Sequence, residues 1–388
     1  MKRFLVLDSF RGLCALAVVL HHFHATQSVT ELAFFKHANY LVNFFFVLSG
    51  FVLYHIYADR LGSTAQLKRF VIARVCRLYP LHLATLLAAL LFEFLKLAAE
   101  QQGILFAAGS FTGPRAADEI LPNLLLLQSW WPGFNHLSFN FPSWSISVEF
   151  YLYLLFALIA VGLPGRSRQI FSAIAVLAFV ALYFKDTFLN EGALTGLACF
   201  FSGVMTYRLY SRFKGLELHK GWATLLEALA LLTVYMAITY SGPSQNISLS
   251  LLFCAVIGLF AFEAGGISRG LCARPFKWAG TLSFSIYMTH TIVLFFVTTS
   301  LMLFGKVTGH DLLIDLPSEI PNVALRYIHT QSMLLDNLII AISVGMVLLL
   351  SVLTHRYIEL PGIELGKVWG RKASGIAGPR AQHQETAP

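Results

Sequence analysis

The sequence predicts an all-α, polytopic membrane protein of about ten transmembrane helices, with N-terminus and C-terminus both cytoplasmic. Three observations predict it. The chain is 57% hydrophobic and only 12% charged, with a mean hydropathy of +0.68 over 388 residues, well above what a soluble domain shows. Apolar segments long enough to span a bilayer fall near residues 5–24, 40–57, 78–98, 146–163, 170–185, 193–210, 222–240, 247–265, 281–303 and 336–355. Of the 28 Lys and Arg residues, only Lys36, Lys96, Arg115, Lys185, Lys306 and Arg326 fall on what this topology makes the outer side, and Arg11 lies inside the first span. The rest sit in inner loops and termini, which is the cytoplasmic excess that sets orientation. Topology and anionic lipid account for the net charge of +8, so no nucleic-acid partner is expected.

The first span, LVLDSFRGLCALAVVLHHFH, keeps Asp8, Arg11 and His22 within an apolar run. Charged groups in lipid cost about 2.5 kcal/mol upward, so they normally face a protein interior or wet cavity and mark function. Eleven residues separate Arg11 from His22, roughly three turns, which puts both on one helix face about 16 Å apart. Asp8 joins that stripe three residues earlier. Met1-Lys2-Arg3 before an apolar run looks like a signal peptide, but His21, His22 and His24 stand where a small-residue cleavage site belongs, so the segment should be retained.

In the sixth span, Gly192, Gly196 and Gly203 read as close helix packing rather than chemistry. Cys14, Cys76, Cys199, Cys254 and Cys272 fall in spans or on the cytoplasmic side, so no disulfide framework is expected. Residues 1–366 read as one membrane domain without internal repeat, and the polar, Gly-punctuated residues 367–388 as a disordered cytoplasmic tail.

Three further clusters carry chemistry. The inner segment 60–80 ends RVCRLYP, with Arg74 and Arg77 three apart on one helix face and Lys68 and Arg69 beside them. Arg forks hold phosphate bidentately, which suits a phosphorylated cytosolic donor; a stop-transfer or lipid-headgroup cluster has the same composition. On the outer side, WWPGFNHLSFNFPSWSISVEF supplies Trp130, Trp131, Phe134, Phe139, Phe141 and Trp144, either an interfacial belt or flat faces for sugar rings. Glu149 follows about one turn into the fourth span, at a depth comparable to His22, and is the nearest candidate to orient that imidazole as a general base. His290, ending SFSIYMTH, either lines the same cavity or is structural. His21, His22 and His24 are spaced to point around the helix, so no metal is expected. The chain has no G-x-S-x-G, Gly-rich phosphate loop or H-E-x-x-H, which leaves hydrolase, kinase and zinc-protease readings without support.

LDSFRGLCALAVVLHHF, NFFFVLSGF at 43–51, RVCRLYP at 74–80, PSWSISVEF at 142–150 and SFSIYMTH at 283–290 together resemble, in order and over nearly the whole membrane portion, the membrane-bound acyltransferase 3 family of bacterial carbohydrate O-acyltransferases. The resemblance implies a cytoplasmic acyl-coenzyme A donor, usually acetyl-coenzyme A with succinyl also open, and a glycan hydroxyl acceptor reached from outside. It places the chain among membrane lipids in the bacterial inner membrane, beside polysaccharide biosynthesis partners. By position, Arg11 and His22 match the family's arginine–histidine pair, Arg74 and Arg77 its inner two-arginine motif, and Glu149 the glutamate after the fourth-span tryptophan. The catalytic candidates are therefore His22, Glu149 and Arg11, the donor-binding candidates Arg74 and Arg77, and the substrate-binding candidates Asp8, Trp144 and His290. The family often adds a C-terminal esterase-like domain where this sequence has only the polar tail, so acyl handling is expected to finish within the membrane unit or on a partner. The alternative of another class is a transporter or flippase of a lipid-linked sugar, because intramembrane Asp, Arg, His and Glu also describe a proton relay; it lacks the repeat symmetry many transporters show.

Overall fold

The computed structural model describes residues 3–104, 106, 108–185, 188–240, 246–317 and 324–373. Met1 and Lys2 of the signal-like start and residues 374–388 of the expected tail lie outside these residues. Each predicted apolar segment is helical. The long helices are α1 (Leu5–His22), α2 (Leu41–Tyr57), α3 (Thr64–Gln101), α4 (Ser143–Gly162) and α5 (Ser167–Tyr183). They continue with α6 (Glu191–Phe213), α7 (Lys220–Thr239), α8 (Asn246–Phe260), α9 (Arg274–Thr308) and α10 (Met333–Thr354). A single π-turn, His355–Glu359, leads from α10 into α11 (Leu360–Ala373).

The protein is thus an all-α, polytopic membrane protein. Among the described residues seven helical stretches are long and apolar enough to cross a membrane by length and composition; α5 and α8 are apolar but shorter, and α6 falls in neither group. The longest helix, α3, has 38 residues and so runs about 57 Å, which exceeds a hydrocarbon core of about 30 Å and carries one end well past it. Ser63 caps it by accepting from the Gln66 amide at 3.3 Å. Helix α7 turns Trp222 (67% exposed) and Leu232 (54%) outward among other large apolar side chains, a face suited to lipid.

Close backbone approach builds the core. A Cβ on Gly12 would lie 2.5 Å from the backbone of Ala279 and Gly280, so α1 lies directly on α9. A Cβ on Gly203 would lie 1.9 Å from the Val47 carbonyl, which locks α6 against α2. Stacked rings fill the space behind this pair, with Phe171 between Phe156 (5.1 Å) and Phe201 (5.2 Å).

Two elements depart from expectation. Residues 367–373, assigned by sequence to a disordered tail, continue α11, because Gly362, Gly366 and Gly370 form a flat stripe that packs on α3 near Pro80, Cys76 and Arg69. Between α9 and α10 the chain forms an antiparallel hairpin, β1 (Leu313–Pro317) and β2 (Ala324–Ile328). Arg326 reaches across it to grip Asp315 with two bonds of 2.8 Å, which holds that carboxyl below the usual carboxylate range. The hairpin is tied to the end of α1: the Ile328 amide donates to the His24 carbonyl at 2.9 Å and the Thr26 amide to the Ile328 carbonyl at 3.0 Å.

Candidate active site

Helices α1, α2, α3, α4 and α9 enclose a cavity of about 110 Å³, room for several waters or the end of a small ligand. Arg11, Arg74 and Arg77 line it, with Glu149 as the carboxylate among its lining residues. One oxygen of Glu149 accepts from Ser49 Oγ at 2.8 Å and from the Tyr153 hydroxyl one turn along α4. Arg74 is caged: its guanidinium lies 5.4, 5.4 and 5.3 Å from the ring centres of Tyr57, Phe70 and Tyr153, and Nη2 donates to the Tyr57 hydroxyl at 3.0 Å. Its Nε is buried without a partner. Behind the cavity, Glu359 of the π-turn accepts from Ser285 Oγ at 3.0 Å, bonds His355 Nδ1 at 2.8 Å, and acts electrostatically on Arg77. Three fixed guanidiniums around one lining carboxylate leave the pocket cationic, which suits a ligand with several negative charges.

The other end of α1 is built differently. His22 Nδ1 lies 2.8 Å from the Val18 carbonyl and 3.2 Å from His290 Nε2. His290 Nδ1 in turn lies 2.7 Å from the Tyr287 carbonyl. A carbonyl only accepts, so each Nδ1 carries a proton; with both rings neutral, the His22 N–H is shared between the Val18 carbonyl and His290 Nε2. In that state His22 Nε2 carries the lone pair that can take a proton. His290 is fully buried and His22 half-buried, with Phe141 packed over its ring at 4.7 Å. Tyr287 joins the two regions. Its side chain lines the cationic cavity and its hydroxyl accepts from Ser145 Oγ at 2.9 Å, while its carbonyl fixes His290.

The structure therefore brings Arg11, Arg74, Arg77 and Glu149 to one cavity and His22 and His290 to another contact. It does not join Glu149 to His22 as expected: the hydrogen bonds of Glu149 go to Ser49 and Tyr153, and His290 occupies the partner position on His22. Asp8 also departs from the stripe. Arg3 Nε holds its carboxylate at 2.8 Å, and it does not line the cavity. Trp144, expected to face a sugar, turns into packing, its ring 5.9 Å from Phe46 and filling the space beside Gly192. Arg74 and Arg77 line the cavity from inside α3, whereas Lys68 and Arg69 at its start are exposed. Sequence reasoning missed Ser49, Tyr57, Tyr153, Tyr287 and Glu359. Tyr153 four residues after Glu149, and Tyr287 three before His290, were the available signals.

The family profile described as "Acyltransferase domain" matches residues 4–356. Among curated relatives, "Acyltransferase MdmB" of Streptomyces mycarofaciens is 29% identical over 319 residues, 74% of this chain and 78% of that protein. "Protein 2 in picA locus" of Rhizobium radiobacter is 44% identical over 90 residues, 22% of this chain and 43% of that protein. No solved structure matches. With its arginine-lined cavity and histidine pair set among membrane helices and a family match over nearly its whole length, the chain belongs to the acyltransferase 3 family and is a membrane acyltransferase.

Proposed function

We propose that the protein transfers an acyl group, acetyl in the first instance, from cytoplasmic acyl-coenzyme A to a hydroxyl of an extracytoplasmic or lipid-linked carbohydrate, in the inner membrane of a bacterium. The observation that carries the reading is the pairing, along α1, of a polycationic cavity with a histidine whose Nδ1 is engaged by the Val18 carbonyl, which turns its Nε2 toward base chemistry. Arg74 and Arg77, with Arg11, take the donor phosphates. Glu149, bonded to Ser49 and Tyr153, sets the charge and shape of that cavity.

His22 Nε2 then takes the proton of the acceptor hydroxyl as its oxygen attacks the thioester carbonyl; the C–S bond breaks, and the imidazolium returns the proton to the departing thiolate. His290 is a positioning residue. Its Nε2 and the Val18 carbonyl together hold the His22 ring and its tautomer, the part an acidic residue plays in serine-protease triads. The excess of Lys and Arg in one set of loops supports an orientation with the donor side inward. The test is thiol release from acetyl-coenzyme A by membranes carrying the protein, read together with mass spectrometry of the surface glycans of a deletion strain. Glycans unchanged by deletion, with no thiol release, would sink the reading; a transporter would move sugar without releasing thiol.

A further inference from the structure

A second cavity, about 260 Å³, opens between the end of α3, the chain that follows it, α9 and β2. Every ionisable group lining it is a cation: Lys96, Arg115 and Arg326. They come from three separate stretches, yet they are half of the six Lys and Arg residues that the charge bias leaves on the outer side. A side that is otherwise poor in cations gathers them at one place.

Their carboxylate partners are shared or open to solvent. Glu93, fully buried, is shared: Arg115 Nη1 donates to it at 2.8 Å and Lys96 Nζ stands 4.0 Å away. Glu100, near Lys96, accepts from the Ser110 amide and hydroxyl, and Lys96 Nζ donates to the Gly109 carbonyl at 3.1 Å. Arg326 is bound to Asp315, but both side chains are partly open to solvent, at 40% and 51%. The floor is apolar, with Met302 and with Phe295 lying 5.2 Å beneath the Arg115 guanidinium. Just before Lys96, Leu91, Phe94 and Leu95 are each more than half exposed, and beside Met302 so is Phe304. Exposed apolar side chains therefore flank the cavity on both α3 and α9, so its cations lie beside a lipid-compatible surface, as a headgroup site requires.

We propose that this cavity binds the phosphate of a lipid-anchored ligand, with the phosphate among Lys96, Arg115 and Arg326 and the start of its chain against Phe295 and Met302. Two sources share that chemistry, a bilayer phospholipid and a polyprenyl phosphate that carries the acceptor sugar; the second rests on the acyl-transfer reading above. The full-length protein in uncharged detergent is titrated with undecaprenyl phosphate, phosphatidylglycerol and undecaprenol, and binding is followed by native mass spectrometry. The phosphate lipids bind and the alcohol does not. Lys96→Met with Arg326→Gln weakens binding about tenfold or more, since two charge-assisted contacts are lost while the Arg115–Glu93 pair stays intact. Where the double variant folds poorly, Arg326→Gln alone weakens binding and Arg326→Lys restores part of it. Preference for undecaprenyl phosphate assigns the site to the acceptor carrier, and equal binding of both phosphates assigns it to bilayer lipid. Binding of undecaprenol as strong as its phosphate, or affinity untouched by these variants, overturns the proposal. The readout is binding, so a failure of acyl transfer with lipid binding intact counts against the function proposed above and leaves this site standing.

Discussion

The two ends of α1 hold their ionisable residues in opposite ways. In the half nearer the N-terminus, Arg11 shares a cavity with two more guanidiniums, and Arg74 is fixed by three aromatic faces and a tyrosine hydroxyl. At the far end, His22 meets a second histidine, and both rings give their Nδ1 protons to backbone carbonyls. One end is a permanent charge that suits an anionic ligand, and the other is a pair of imidazoles that, when neutral, keeps a lone pair on His22 Nε2. Recognition of a polyanion and removal of a proton impose contradictory electrostatics on one site, since nearby guanidiniums stabilise the deprotonated form of a base and weaken it. Separating them by about three helical turns removes the conflict, and Tyr287 touches both regions.

The largest effect expected belongs to the histidine end. His22→Ala should lower thiol release by about 10²–10⁴-fold with membrane abundance unchanged, the usual contribution of a general base. His21 is turned about 100° away and bonds the Phe35 carbonyl at 3.1 Å, so His21→Ala should be much milder. Equal activity of the two variants would erase the distinction drawn between the ends.

At the arginine end the effect should appear in donor binding. Arg74→Lys or Arg77→Lys keeps the charge and removes the planar fork, and loss of one charge-assisted bond is worth about tenfold in the donor KM. Steady-state kinetics in vesicles with acetyl-coenzyme A concentration varied would show it. An unchanged KM in both variants would return the pair to a lipid-headgroup role.

How the sequence and structure compare follows from what each can encode. Hydropathy registers depth, and every apolar segment became a helix, but depth says nothing of which helices are neighbours. Glu149 and His22 were matched by depth and turned out to face different partners, because Ser49 from α2 and Tyr153 on the same face of α4 claim the carboxylate. Trp144 was legible as an amphipathic aromatic, whereas the slot it fills depends on Gly192, a residue nearly fifty positions on in another helix. The helical course of residues 367–373 was hidden because Lys367, Arg371 and Lys372 read as a polar tail, while the informative feature was the four-residue spacing of Gly362, Gly366 and Gly370. The two strands have five residues each, too short for a period of two to stand out.

A smaller effect sharpens the same contrast through Glu149 and His290. The structure attaches Glu149 to the arginine cavity and His290 to His22, so Glu149→Gln should alter the donor KM while His290→Ala lowers kcat with KM little changed. Each loses about one buried hydrogen bond or charge contact, so a change of about three- to tenfold is expected. If Glu149→Gln instead lowered kcat alone, the carboxylate would belong with the histidine after all, and the two-ended description would fail.

The smallest effect is expected at Lys68, which sits at the exposed start of α3, about two turns before Arg74. Its charge lies outside the cavity, where water and salt screen it over about 8 Å at physiological ionic strength. Lys68→Gln should therefore leave kcat unchanged and raise the donor KM less than twofold in 0.15 M salt. Any effect it has should come from steering an anionic donor toward the cavity, which grows at low ionic strength and vanishes at high. The arginines inside the cavity act at contact distance, so the penalty of Arg74→Lys should survive added salt. Donor KM measured for both variants across a salt series separates the two behaviours. A salt-insensitive loss in Lys68→Gln comparable to that of Arg74→Lys would mean that the donor is gripped at the exposed start of α3 as firmly as inside the cavity, and that burial of the arginines is incidental to binding.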